Sequence, residues 1–252
     1  MNVGLLHPGE MGSAVGAQLV SRGTHVVWAS AGRSEETARR SSGFEDAGTV
    51  EELVRRSDVI LSICPPHAAL DVARSVGRFQ GIYVDANAIA PATAREVAAV
   101  VGRCVDGGIV GPPPRPPATA RLYLSGPDAP SIVGLFTGTA VDARVVSDEI
   151  GAASAVKVTY AAWTKGTAAM LLAIQELARA EGVEDVLTAE WEESLPELPE
   201  QAQRARRSAD AKGWRWVGEM EEIASAFAAR GLPDGFHRAA AKVFGWRQGV
   251  RS

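Results

Sequence analysis

The chain has 252 residues, 46% of them hydrophobic, which is enough to bury a sizeable core and too apolar for a disordered chain. Its formal net charge of -4, with both signs interspersed, offers no basic field, which argues against nucleic acid or an anionic membrane and leaves a small molecule as the expected partner. Cys64 and Cys104 are too few for a zinc knuckle or a disulfide framework, so neither a metal nor an oxidising compartment is expected.

In chain order, Met1-Asn2 leads straight into an apolar run at 3–6, with no basic leader before it, and no later run approaches membrane-spanning length. A cytoplasmic protein is the expectation. Short β-branched runs at 3–6, 25–28, 59–63, 81–84 and 103–105 alternate with helical patterns through about residue 147. Such alternation predicts parallel strands joined by helical crossovers. From 151 to 181 there is no proline, and Ala, Leu, Met, Lys and Glu abound, which predicts one long helix. Further helices are expected at 184–191 and 200–208, followed by a buried face of Met220, Ile223, Ala224 and Phe227 at the i, i+3, i+4, i+7 spacing. Gly231-Leu232-Pro233 stops that helix, and a last one is expected at 234–246 with a fraying polar tail. The expected fold class is α/β, with a doubly wound Rossmann-type sheet at 1–149 and an all-α substrate and dimerisation domain at 150–252. The helical half has more apolar faces than one chain of this size can bury, so a homodimer through the C-terminal helices is expected.

The turn His7-Pro8-Gly9-Glu10-Met11-Gly12 follows the first strand and opens a helix, where a dinucleotide-binding turn has its glycines. Backbone amides and the positive end of the helix dipole can hold a pyrophosphate there, and small residues at Gly9 and Gly12 permit close approach. His7 stands where the fingerprint has its first glycine and reads as a solvent-facing turn residue in preference to one that touches the nicotinamide side. After the second strand the sequence is Trp28-Ala29-Ser30-Ala31-Gly32-Arg33-Ser34, with no carboxylate for a ribose diol. Arg33 can fork onto a 2′-phosphate, with Ser30 and Ser34 donating hydroxyl bonds, so NADP(H) is the expected cofactor. The five prolines around Arg115 in 111–117 predict a stiff loop at a strand end that helps wall an active site.

Gly9-Glu10-Met11-Gly12, Ser62-Ile63-Cys64-Pro65-Pro66, the segment from Asp85 to Pro91 and the segment from Gly151 to Lys157, in that order and spacing, resemble the β-hydroxyacid dehydrogenase superfamily. That superfamily includes 6-phosphogluconate dehydrogenase, 3-hydroxyisobutyrate dehydrogenase and, more distantly, the imine reductases. The C-terminal Gly213-Trp214-Arg215-Trp216 and Gly231 to His237 look like a branch with a shortened helical domain. The resemblance implies hydride transfer between the nicotinamide and a hydroxyl- or amine-bearing carbon, cofactor contacts from Cys64, Pro65, Pro66 and Asn87, and Lys157 as the catalytic general acid or base.

The sequence departs from the family pattern in informative places. Ala161 replaces the asparagine one turn after the lysine, and Tyr160 is read as compensating for it; Tyr160 and Lys165 flank the Lys157, Ala161, Thr164 stripe. Asn87-Ala88 replaces the substrate-binding Ser-Thr, and Val110-Gly111-Pro112 replaces Ser-Gly-Gly, which points away from carboxylate recognition. The substrate-side candidates are therefore Asn87, Gly111, Pro112 and Thr164, with Arg115, Trp214, Trp216, Glu219, Met220 and His237 shaping a pocket for a partly apolar molecule. The leading expectation is an NADP(H)-dependent dehydrogenase or reductase of a small carbonyl or hydroxy compound. The alternatives are an imine reductase and a catalytically silent NADP-binding sensor.

Overall fold

Val3, Leu5 and Leu6 are buried on alternate faces of strand β1 (Asn2–Leu6), as a central parallel strand covered on both sides requires. The computed structural model describes residues 1–117 and 119–249, and the chain forms two units, Met1–Lys157 and Val158–Ser252. Among the described residues no helix is long and apolar enough to cross a membrane.

In the first unit, β1 leads through α1 (Glu10–Ser21) to β2 (His25–Trp28), then α2 (Glu35–Arg40) and the short β3 (Glu45–Asp46). The chain returns through α3 (Val50–Arg56) to β4 (Val59–Ser62), α4 (Ala69–Val76), β5 (Phe79–Asp85), α5 (Pro91–Val101) and β6 (Gly102–Val110). It ends with β7 (Ala120–Ser125), α6 (Ala129–Val133) and β8 (Val141–Ser147). The sheet order is β3-β2-β1-β4-β5-β6-β7-β8, parallel throughout except where β6 meets β7. Because the chain winds outward from β1 to one side and then to the other, the topological switch point lies between β1 and β4, where doubly wound sheets bind ligands.

One face of the sheet buries Val3, Leu5, Val15, Leu19 and Leu122, and the other buries Leu6, Leu53, Ile60, Tyr83 and Ile89. Each fully buried aliphatic side chain contributes about 1.5–3 kcal/mol. Helix starts follow local chemistry: the Ser34 and Thr49 hydroxyls accept from Thr37 N and Glu52 N, each at 3.2 Å, capping α2 and α3.

The helix α7 (Ala152–Ala180) runs from the first unit into the second, which continues with α8 (Glu184–Ser194), α9 (Leu198–Ala228) and α10 (Gly235–Gly249). Met220, Ile223, Ala240, Ala241 and Phe244 pack with Val158, Ala161 and Leu172 in its core. The segments expected as two helices around 200–208 and 220–227 are one 31-residue helix, since nothing between them breaks the pattern. It stops at Gly231, φ 68, with Leu232 N bonded to Phe227 O, as the glycine implied. The last helix extends to Gly249, and the remainder of the tail expected to fray lies outside the described residues.

Candidate active site

The register places Leu6, Ser62, Asp85 and Asp106 side by side on β1, β4, β5 and β6. At the usual strand spacing this level row is roughly 15 Å long. The loops after β1, β4 and β5 start on this row, and so does the seat of α7.

At the β1 end, His7 adopts a left-handed backbone, φ 60, and its carbonyl accepts from Gly9 N at 2.7 Å. Pro8 is buried behind the turn, and Gly9 precedes α1 with no side chain capping the helix. A Cβ at Gly12 would lie 3.0 Å from the His7 carbonyl oxygen, so the tight turn itself requires a small residue there. Glu10, Met11 and Gly12 form the first turn of α1, whose positive end faces out of the sheet edge.

His7 is not the solvent-facing residue expected. Its Nδ1 is buried without a hydrogen-bond partner, and burial, together with the charge of Arg33, lowers its pKa from 6.5 to about 4. Arg33, in the loop between β2 and α2, likewise has a buried Nε without a partner. A buried polar atom left unsatisfied requires a partner from outside the chain or a structural cost, and two such atoms beside the phosphate-facing turn are a feature a ligand can use. Ser34, expected to meet a phosphate, has its hydroxyl occupied by the α2 cap and Thr37 Oγ1. Ser30 offers its amide to Asp46 Oδ1 at 3.2 Å, and Gly48 N donates to the same oxygen at 2.8 Å. Asp46 thus pins the loop after β2, a role invisible in sequence because it arrives from the neighbouring strand.

At the centre of the row, Asn87 joins two loops. Its Oδ1 accepts from Cys64 N at 2.6 Å, while Nδ2 donates to Ser62 Oγ at 3.3 Å and to Asp85 Oδ2 at 3.0 Å. Both amide protons have partners inside the protein, so the expected direct contact from this amide to a ligand gives way to a scaffolding role. Burial raises the Asp85 pKa to about 7 and that of Cys64 to about 12, which keeps the thiol protonated and unreactive at neutral pH. Pro65 and Pro66 lead from this junction into a short 3-10 turn before α4.

Beyond it, Asp106 and Ser125 hold the start of α7, and a Cβ at Gly108 would lie 2.8 Å from both the Ala153 carbonyl oxygen and Lys157 Cβ. Lys157, half-buried, is therefore seated directly on β6. Tyr160 is exposed one turn on, and Thr164 bonds back to the Tyr160 carbonyl at 3.3 Å. Ala161 is buried in the helical core.

The proline loop follows the end of β6 directly, as expected. The Pro114 carbonyl accepts from Gln18 Nε2 at 3.3 Å, two turns along α1 from its phosphate-facing end, so Gly111, Pro112 and Arg115 belong to a loop anchored there, all three exposed. In the helical unit the expected pocket residues are mostly taken up by packing and pairing. Met220 is fully buried core. Trp216 packs edge-on against Phe244 at 5.0 Å and beneath Lys165, which is paired with Glu219. Trp214 is exposed under Arg215. His237 is buried against Phe227 and beside Gly166, with Nδ1 lacking a hydrogen-bond partner and its pKa lowered by burial.

A glycine turn at a helix N-terminus, at the switch point of a doubly wound sheet, is the arrangement of a dinucleotide-binding domain. The comparisons agree. A family described as NADP oxidoreductase coenzyme F420-dependent matches residues 2–88, and a domain of unknown function, DUF1932, matches 178–246. A Methanothermus fervidus protein, described as an uncharacterized 28.5 kDa protein in the 7S RNA 5′ region, is 30% identical over 199 residues, 77% of each chain. The solved structure of a conserved protein of unknown function, described as similar to 3-hydroxyacid dehydrogenases, is 28% identical with a TM-score of 0.72, covering 100% of this chain and 98% of that one. The 3-hydroxyisobutyrate dehydrogenase of Salmonella typhimurium shares the fold with a TM-score of 0.75 at 17% identity, covering 99% and 95%. The chain belongs to the β-hydroxyacid dehydrogenase-like family, with a C-terminal helical domain.

Proposed function

We propose that this protein is an NADP(H)-dependent reductase or dehydrogenase of a small carbonyl or hydroxy compound, with Lys157 as general acid and base. The observation that supports it is the level row at the sheet edge, with a phosphate turn at one end and a seated lysine at the other. When bound, NADPH supplies hydride from C4 of its nicotinamide. The turn at Gly9 to Gly12 and the dipole of α1 hold the pyrophosphate. Arg33, with its orphaned Nε, meets the 2′-phosphate, a charge-assisted bond. Lys157 donates a proton to the carbonyl oxygen as the alcohol forms and takes it back in the reverse direction.

An imine substrate is the second reading. It is favoured by residue 161 being alanine, which brings no side-chain amide to the turn after Lys157.

The test is NADPH oxidation with a panel of carbonyls and imines, alongside cofactor titrations. Turnover is expected in the wild type and lost in Lys157→Ala. Arg33→Ala is expected to weaken NADPH binding about 10- to 100-fold and to leave NADH binding unchanged. A Lys157→Ala enzyme with the wild-type rate would refute the lysine's role, and tight NADPH binding without turnover of any substrate would identify a sensor.

We also propose that the protein acts as a homodimer joined through α7. Tyr160, Trp163, Thr167, Met170, Ile174 and Leu177 follow the 3-4 spacing of a coiled-coil seam. Trp163 is 73% exposed, Leu177 64%, Met170 52% and Tyr160 48%. The stripe is self-complementary: a second copy running antiparallel about a twofold axis between Thr167 and Met170 sets Trp163 against the partner's Ile174 and Tyr160 against the partner's Leu177. It offers on the order of 500 Å² per chain, about 1,000 Å² for the pair, the size at which an interface becomes specific.

A further inference from the structure

We propose that Asp106 is the positioning residue for Lys157, capping the N-terminus of α7 from the sheet and so fixing the turn of helix that carries the amine. The inference rests on the proton-transfer role proposed for Lys157.

The first turn of a helix leaves amide protons without intrahelical acceptors, and a residue next to it in sequence normally meets them. In α7 they are met from the sheet instead. Asp106, 1% exposed, accepts on Oδ2 from Gly151 N at 3.0 Å, Ser154 N at 2.9 Å and Ser125 Oγ at 2.9 Å. Its Oδ1 accepts from Ser154 Oγ at 2.5 Å. Ser125, directly opposite Asp106 on β7, in turn accepts from Ala153 N at 3.0 Å. The negative charge also complements the positive end of the helix dipole.

A second grip lies two residues along the same strand, on the same face. There Gly108 admits the Ala153 carbonyl and Lys157 Cβ to within 2.8 Å of where its own Cβ would stand. Cap and seat together fix the rotation and axial position of the first turns of α7, as far as Lys157. Lys157 follows Ser154 by less than one turn, so the geometry reaches the amine with little helix in between. A slip of one residue would move it about 1.5 Å along the axis and turn it about 100°. Misplacements of about 1 Å are enough to lose on the order of 100-fold in rate.

The test is a double-mutant cycle of Asp106→Asn, Lys157→Ala and both together, with Ser154→Ala as a milder variant that keeps the carboxylate. Rates per folded protein, the NADPH dissociation constant, and the Lys157 methyl resonance of the apo protein after reductive methylation with 13C-formaldehyde are measured. Asp106→Asn is expected to lower kcat about 100-fold and Ser154→Ala by less, with NADPH affinity within about twofold of wild type. Added to Lys157→Ala, Asp106→Asn should lower the residual rate no further, because a residue acting through the lysine has nothing left to position. The Lys157 resonance should shift in Asp106→Asn.

The proposal is overturned if Asp106→Asn keeps the wild-type kcat, if it lowers the rate of the Lys157→Ala protein further, or if the resonance stays in place. Should Lys157→Ala itself be fully active, it is the catalytic reading of the lysine that fails. The resonance would still report whether Asp106 holds the amine.

Discussion

His7 is the one non-glycine residue with a positive φ among those described, at the position where a dinucleotide turn normally carries glycine. A left-handed backbone costs an L-residue about 1–2 kcal/mol, although histidine tolerates it better than most. With the pKa lowered from 6.5 to about 4, the folded apo protein keeps the ring neutral while the unfolded chain takes up a proton near pH 6.5. The unfolded state then binds more protons between these values, so the stability is fully present above pH 6.5 and is lost as pH falls towards 4. After discounting for partial exposure of the ring, this amounts to about 2 kcal/mol. Asn tolerates the same backbone and does not titrate, so urea unfolding of His7→Asn should lose about 2 kcal/mol less than wild type between pH 7 and pH 4.5. Parallel losses in the two proteins would refute the buried, neutral imidazole. The strand-turn-helix pattern made this turn legible in the sequence, but the burial of His7 and the nearby charge of Arg33, far from it in the chain, are set only by the fold.

Among elements, α7 was legible as a helix from its composition, and its two functional ends were not. Its cap escapes any local reading because the donors to Asp106 come from 45 and 48 positions away. Its seam is visible only once burial is known, since the same 3-4 spacing also describes a core-facing stripe. The central strands showed themselves as apolar runs. The outer β8, with Asp142, Arg144, Val145 and Val146 all exposed, has no apolar alternation to mark it in the sequence. The 31-residue α9 looks like two helices in the sequence because Gly213 and the exposed Lys212 and Arg215 weaken the apolar pattern in its middle, although no proline stops the helix there. If the seam joins two copies, Trp163→Glu places two charges in it and should shift the protein from dimer to monomer at micromolar concentration in sedimentation equilibrium. A wild-type monomer, or a dimer unaffected by the substitution, would contradict the interface.

At the scale of the molecule, the doubly wound order was legible because alternating strands and helices leave few topologies open. The placement of the pocket side chains was less so. Asn87 and Ser34 are polar groups of the right kind in the right loops, yet the folded chain occupies both, one as a tie between loops and the other as a helix cap. Trp216 and Met220 had the composition of a binding surface and are used as packing. What remains for chemistry is the sheet edge with its turn, its orphaned His7 and Arg33 nitrogens, and its lysine. A crystal structure of the protein with NADP+ bound tests this most directly. The pyrophosphate should rest on the amides at the start of α1, with the 2′-phosphate against Arg33 and the Lys157 amine within about one water of the nicotinamide C4 side. A cofactor bound elsewhere, or a nicotinamide ring remote from that amine, would contradict it.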